Sequence, residues 1–223
     1  MNYELAYAIG FHPWEDLAEH PPFANKLLEL VAREEEGREP PYGPALDVGT
    51  GSGVWAVELA RRGWQVTGVE IVGKALRRAA DRVRAAGVEV GLVAGDVTDL
   101  RAGNVGSAFR LILDTGTFHG LGDDERRAMG RELDAVAAPE ATILLDCFTP
   151  RRRGPLPRGA DRESIDESFP GWTITDTEIA DSEPEAIARV FKFDERWYRL
   201  RRTADRVRNG LDSPGAPGAR QRA

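Results

Sequence analysis

The run Leu46-Asp47-Val48-Gly49-Thr50-Gly51-Ser52-Gly53, with Val69-Glu70 a helix and a second strand further on, constrains this chain more than any other feature. Pro44-Ala45-Leu46 reads as a short buried strand. The alternate glycines then permit a tight turn and a close approach of backbone to ligand. Residues Val54 to Arg62 have helical spacing, and Gly63 stops them. Strand, glycine turn and helix make a nucleotide-binding corner.

The details of the loop bear on which nucleotide it suits. The dinucleotide fingerprint G-x-G-x-x-G would place its third glycine at position 54, where this chain has Val54. The pattern here is D-x-G-x-G-x-G, with Asp47 at the strand's end. A carboxylate beside the loop repels a pyrophosphate. It suits a ligand carrying an ammonium and a sulfonium and no phosphate, so S-adenosyl-L-methionine is the expected cofactor and S-adenosyl-L-homocysteine its product. Glu70 ends the second strand, Trp64 to Val69. An acid about 20 positions past the glycine loop accepts hydrogen bonds from ribose hydroxyls. The plainer readings are a glycine turn that only connects and a Glu70 that is only solvated. An NAD(P)-dependent oxidoreductase and a cofactor-binding protein without turnover are the alternatives; Val54 and Asp47 count against the first.

The 223 residues, 41% hydrophobic and 30% charged, suffice for one domain with a full core. A net charge of -7 argues against nucleic acid as a partner, because such binding neutralises phosphates. Arg151-Arg152-Arg153 with Arg158 reads as a solvated loop rather than a phosphate site. No apolar stretch is long enough for a bilayer, and no signal-peptide pattern opens the chain. Cys147 is the single cysteine, which precludes an intramolecular disulfide. Three histidines and one cysteine offer no metal spacing. These features predict a cytoplasmic protein, monomer or homodimer, with no membrane or nucleic-acid partner.

The elements alternate. A helix is predicted over Ala24 to Arg33, broken by Pro40-Pro41-Tyr42-Gly43-Pro44. After the second strand come a helix through Lys74 to Ala86, ended by Gly87, and strands Val88 to Val93 and Phe109 to Asp114. A charged helix, Asp123 to Val136, leads through a turn at Ala138-Pro139-Glu140 to strand Ala141 to Phe148. Near-continuous apolar strands alternating with helices predict a doubly wound α/β sheet. Trp172 to Ile179 and Ala188 to Leu200 read as a closing, hairpin-like pair. The stretch from Asn209 onward, rich in Gly, Pro and Arg, is expected to be disordered.

Four segments together resemble a class I S-adenosylmethionine-dependent methyltransferase: Asp47 to Gly53, Val69-Glu70-Ile71, Gly95-Asp96-Val97, and Asp114 to Leu121 followed by Asp123 to Arg127. More narrowly, Gly10-Phe11-His12-Pro13-Trp14-Glu15, Pro21-Pro22-Phe23 and Asp161 to Trp172 are similar to small-molecule methyltransferases of the thiopurine and tellurite-resistance type. The resemblance implies a Rossmann-like, mostly parallel seven-stranded sheet with an antiparallel last strand. It divides the chain into an N-terminal helical lid over 1–43, a methyltransferase domain over 44–205 and a tail over 206–223. It implies that Gly49, Thr50, Gly51 and Gly53 hold the methionyl part and that Asp47 contacts its amino end. Glu70 would bind both ribose hydroxyls, Ile71 would pack on adenine, and Asp96 with the backbone of Val97 would meet the adenine amino group. Asp114 and Thr115 would lie under the methyl donor.

Methyl transfer from a sulfonium is a direct displacement, so alignment and desolvation carry most of the catalysis. A base matters only for a nucleophile protonated at neutral pH. His119, just past the fourth strand, is a candidate base or a packing residue at a helix entry. His12 is a substrate contact or a cap, and His20 a surface residue. Catalytic candidates are thus His119, Asp114 and His12. Phe11, Trp14, Phe118 and His119 are candidates for the acceptor pocket, although aromatic residues are as often core. Cys147 reads as a small buried residue.

Overall fold

The computed structural model describes residues 21–150, 158–179 and 195–202. Its elements are α1 (Pro21–Glu35), β1 (Gly43–Val48), α2 (Val54–Arg62), β2 (Trp64–Glu70), α3 (Gly73–Ala86), β3 (Val90–Ala94), β4 (Phe109–Asp114), a 3-10 turn (Phe118–Gly120), α4 (Asp123–Val136), β5 (Ala137–Phe148), α5 (Arg162–Ser168), β6 (Trp172–Ile179) and β7 (Glu195–Arg202). The strands form one sheet in the order β3-β2-β1-β4-β5-β7-β6. β7 runs antiparallel to both neighbours, and every other pairing is parallel. This is the doubly wound, Rossmann-like sheet with an antiparallel last strand. The order reverses between β1 and β4, and the crevice outside the carboxyl ends of such strands is where ligands sit.

Strand and helix boundaries follow local chemistry. The strands flanking the reversal are apolar because helices cover both of their faces. Gly63 ends α2 in the left-handed conformation, φ 106°, and its N–H caps the carbonyls of Ala60 and Leu59. β2, α2, β4 and α4 occupy the spans their periodicity predicts.

Several boundaries differ from expectation: β3 is Val90–Ala94 where Val88 to Val93 is predicted, and α1 is Pro21–Glu35 where Ala24 to Arg33 is predicted. The turn predicted at Ala138-Pro139-Glu140 is already strand: β5 begins at Ala137, opposite Phe109. A register shift between Phe109 and Leu111 absorbs Pro139, which has no N–H for a ladder. At the other end, α1 stops at Glu35, ahead of the prolines, because Gly37 turns the chain at φ 70°. The predicted strand segment 188–194, the basic run Arg151 to Arg153 and the expected tail lie outside the described residues.

Two apolar clusters flank the sheet. Phe23, Leu27, Leu30 and Val31 of α1 pack with Trp55 and Leu59 of α2 on Leu111, Leu113, Leu144 and Trp197. On the opposite face, Met129, Leu133, Ile165 and Phe169 pack on Ile112, Ile143 and Leu145. α1 is therefore a packed wall of the domain. Its first turn meets Trp55 and Trp197 through Phe23. At its last turn, Glu35 accepts from Arg62 Nε and Trp64 Nε1, both at 2.9 Å. Beside it, Glu34 accepts from Thr142 Oγ1 at 2.7 Å and from Arg199 Nε at 2.6 Å. The helix thus starts at the carboxyl edge of the sheet and ends at the amino edge. A lid drawn from the chain before Pro21 lies outside the described residues. Among the described residues no helix is long and apolar enough to cross a membrane.

Candidate functional site

The carboxyl edge of the sheet carries a row of acids. Glu70 closes β2, Asp47 is next to last in β1, Asp114 closes β4, Asp146 is near the end of β5, and Glu195 opens the antiparallel β7. The sheet order makes these five carboxyl groups spatial neighbours in sequence, β2-β1-β4-β5-β7. Each residue is 8% exposed or less.

The glycine loop is built on three left-handed residues, Gly49, Gly51 and Gly53, at φ 63°, 54° and 78°. A Cβ on Gly49 would stand 2.0 Å from Thr117 Oγ1, and one on Gly53 would stand 3.0 Å from Ala79 Cβ. Gly49 therefore lets the turn after β4 approach the loop, and Gly53 lets α3 approach α2. Thr117 Oγ1 in turn donates to the carbonyl of Val48 at 3.3 Å.

Asp47 stands behind this loop. Its Oδ2 accepts from Thr50 Oγ1 at 2.5 Å. Burial above all pushes its carboxyl up to about 7; the Thr50 bond opposes this, and Asp114 and Glu70 add repulsion. At 1% exposure it is held inside the loop, whose shape it fixes through Thr50. Glu70 binds the loop from β2: Oε2 accepts from the N–H of Gly51 at 3.0 Å and Oε1 from that of Val72 at 2.7 Å. Ile71 beside it is 62% exposed, one of two large apolar residues so exposed among the described residues. Asp96 is exposed, and its Oδ1 accepts from the N–H and hydroxyl of Thr98, at 2.8 and 2.7 Å. Val97, next to it, is buried.

Asp114 is fully used by its own turn. Oδ1 accepts from the N–H groups of Gly116 and Thr117, at 2.9 and 2.6 Å, and Oδ2 from that of Phe118, at 3.0 Å. Burial raises its carboxyl to about 6 against these three bonds. Its part at the site is to fix the segment Thr115 to Phe118. His119 sits in the 3-10 turn, 4% exposed, with its ring stacked 4.5 Å from that of Phe148. Its Nδ1 accepts from the Phe148 N–H at 3.3 Å. A nitrogen that accepts carries no proton, so the neutral ring holds its proton on Nε2 and presents a donor there.

Phe118 is corrected: it lines no open pocket. It is fully buried, 5.5 Å from Phe169, with the Arg126 guanidinium 5.2 Å over its ring. Phe11, His12 and Trp14 lie outside the described residues. Cys147 is buried, which pushes its thiol well above the ordinary value and leaves it inert.

Three features escaped sequence reasoning. Arg126, on α4, is buried and donates to the carbonyls of Phe118 and His119, both at 3.1 Å, and of Gly159 at 2.6 Å. It ties the turn after β4 to the chain before α5. Ser52 Oγ is buried in the loop without a hydrogen-bond partner. The third is the pair Asp146 and Glu195. An acid interrupting the apolar run Ala141 to Phe148 was the available signal for Asp146.

Residues 45–140 match the model of a family described as methyltransferase domain. Among solved structures, the chain resembles a 1,6-didemethyltoxoflavin-N1-methyltransferase from Burkholderia thailandensis, bound to 1,6-didemethyltoxoflavin and S-adenosylhomocysteine. The identity is 21%, the TM-score 0.68, and the match covers 91% of this chain and 86% of that one. It also resembles the N-methyltransferase NodS from Bradyrhizobium japonicum, in complex with S-adenosylhomocysteine, at 16% identity and TM-score 0.66, covering 84% and 90%. A third structure is the [4+2]-cyclase SpnF, at 20% identity and TM-score 0.64, covering 80% of each chain. No curated protein matches the sequence. Residues 45–140 thus match a methyltransferase domain, and the described residues share the fold of these solved structures. A cyclase on the same fold shows that architecture alone does not fix the reaction.

The edge suits S-adenosylmethionine. Glu70 brings a carboxylate, a group that accepts from hydroxyls such as those of a ribose, to the mouth of the glycine loop. Ile71 offers an apolar face beside it, and Ser52 Oγ is an orphaned hydroxyl within the loop. The neighbouring acids favour a cation and oppose a phosphate.

Proposed function

We propose that this chain transfers the methyl group of S-adenosylmethionine to a small-molecule acceptor with a sulfur, nitrogen or oxygen nucleophile. Aromatic, heterocyclic and chalcogen-bearing acceptors are the classes in view. The observation that carries the proposal is the row Glu70, Asp47 and Asp114, buried beside a left-handed glycine loop and the exposed Ile71. A row of carboxyl groups, which gains negative charge as pH rises, is a poor neighbour for a pyrophosphate, and this disfavours the dinucleotide alternative.

In this reading Glu70 orients the ribose, Ile71 packs on adenine, and Asp96 and Val97 meet its edge. Gly49, Thr50, Gly51 and Gly53 shape the methionyl seat, with Asp47 supplying negative charge behind it. Bound there, S-adenosylmethionine supplies an already activated methyl group. The protein's part is alignment and exclusion of water, for which well-oriented groups supply roughly 7–11 kcal/mol. Asp114 holds Thr115 and the following turn rigid, and Arg126 clamps that turn from behind. His119 belongs to the acceptor side, where its Nε2–H can orient the incoming molecule. His12, Phe11 and Trp14 are the sequence's further candidates for contact with the acceptor.

Two measurements test this. Calorimetric titration compares S-adenosylhomocysteine with NAD(H); binding of the dinucleotide alone overturns the proposal. Release of S-adenosylhomocysteine across thiols, phenols and N-heterocycles tests turnover; donor binding without release from any acceptor leaves a binding protein.

A further inference from the structure

The glycine loop is fastened at its two ends by different elements. β2 holds the first half: the Thr50 N–H donates to the Val69 carbonyl at 2.9 Å, and Glu70 takes the Gly51 N–H. α3 holds the second half. Arg82 Nε donates to the Ser52 carbonyl at 3.0 Å. Three residues earlier, on the same face of α3, Ala79 packs so closely on Gly53 that a Cβ there would lie 3.0 Å from the Ala79 Cβ. Ala79 is fully buried, and Arg82 is half-buried along the groove over α2, beside Val57 and Ala85.

The Ser52 carbonyl needs a partner from outside its own helix. The ladder of α2 opens one residue later, with the Val57 N–H on the Gly53 carbonyl at 3.1 Å. Ser52 is buried, so an unmet carbonyl there would be costly. A guanidinium is a strong donor, roughly twice a neutral one. It also acts through the peptide unit. The Ser52 carbonyl and the Gly53 N–H belong to one peptide, and that N–H donates to the Thr50 carbonyl at 2.8 Å. Polarising the carbonyl strengthens the donor at the other end of the same unit. Arg82 therefore tightens the turn Thr50 to Gly53, which Thr50 Oγ1 already ties to Asp47. A cation at this end of α2 opposes the helix dipole, so the contact serves the loop and does not cap the helix.

We propose that Arg82 is a positioning residue for the methionyl half of the cofactor. It acts through the Ser52 carbonyl, holding the second half of the glycine loop in the shape that seats the amino-acid end, while Glu70 serves the adenosine end. Its role rests on the S-adenosylmethionine reading of the site; the loop contact does not. The two halves of one ligand thus answer to two different elements, α3 and β2.

The test titrates the full chain with two ligands by calorimetry. S-adenosylhomocysteine carries the amino-acid end; 5′-methylthioadenosine keeps the adenosine and the thioether and lacks it. Arg82→Met, which keeps the stem in the groove and removes the donor, is expected to weaken S-adenosylhomocysteine by about tenfold or more and 5′-methylthioadenosine by less than about twofold. Arg82→Gln, which keeps an N–H donor at the same distance along the side chain, is expected to recover part of that loss. Arg82→Ala, a good helix former, replaces Arg82→Met if the latter does not fold. Three results overturn the role: unchanged S-adenosylhomocysteine affinity in the variant without a donor, equal weakening of both ligands, or a loss in Arg82→Gln as large as in Arg82→Met. Any of these with a parent that binds both ligands rejects the role of Arg82 alone. A parent that binds neither ligand rejects the S-adenosylmethionine reading, and the role of Arg82 with it.

Discussion

The Glu70 carboxylate accepts the Gly51 N–H at 3.0 Å, so the tip of β2 is bolted to the glycine loop at the point where a ribose would lie. One group therefore shapes the loop and, in the proposed reading, faces the ligand. Glu70→Gln is expected to weaken S-adenosylhomocysteine binding by roughly 1–3 kcal/mol, the scale of a lost charge-assisted hydrogen bond. Calorimetry measures it, and unchanged affinity would remove Glu70 from the site.

Asp47 makes stability depend on pH. Its ordinary value is 3.8 and its folded value about 7, so the folded protein holds the proton more tightly than the unfolded chain. Asp114, at about 6, acts in the same direction. The stabilisation from the bound proton is complete below about pH 4 and is lost as pH rises toward 7. These two groups are expected to lower unfolding free energy across that window by an amount on the order of a few kcal/mol. Asp47→Asn should flatten the profile in urea melts taken from pH 4 to 8; an unaltered slope refutes the assignment.

Gly49→Ala is expected to destabilise the domain by roughly 1–3 kcal/mol, because a side chain at φ 63° is strained and its Cβ would meet Thr117 Oγ1. Adding Thr117→Ala should recover the steric part and leave the backbone part. A double mutant no more stable than Gly49→Ala would show that the two turns do not press on each other.

Arg126→Met should cost about 3 kcal/mol or more, since it leaves the buried carbonyls of Phe118, His119 and Gly159 without a donor. Denaturant unfolding gives the number. A loss below about 1 kcal/mol would mean that the turn after β4 is held by Asp114 alone.

His119→Ala separates two roles. A proton acceptor would slow a phenol far more than a thiol. With Nδ1 turned to the Phe148 N–H, both acceptors are expected to slow by similar factors. A selective loss with phenols would restore the base.

Much of this was legible locally. The span of α2 follows from helical periodicity closed by Gly63, and β4 from an apolar run ended by Asp114. The loop acids were legible because Asp47, the glycines and Glu70 all lie within one strand-helix-strand unit. What lay hidden depends on contacts distant in sequence. Phe118 reads as a pocket residue until Phe169 packs on it. Pro139 reads as a turn until a register shift opposite Phe109 takes it into β5. Asp146 and Glu195 become a pair only when β7 inserts antiparallel beside β5, a neighbour relation that no local pattern specifies.

The near-contact between Gly49 and Thr117 has a mechanical consequence. In the proposed reading one turn seats the donor and the other borders the acceptor, and no room for even a methyl group separates them. Order imposed on either turn passes to the other without slack. The two halves of the cleft should stiffen in concert, with neither domain closure nor a hinge to carry the message.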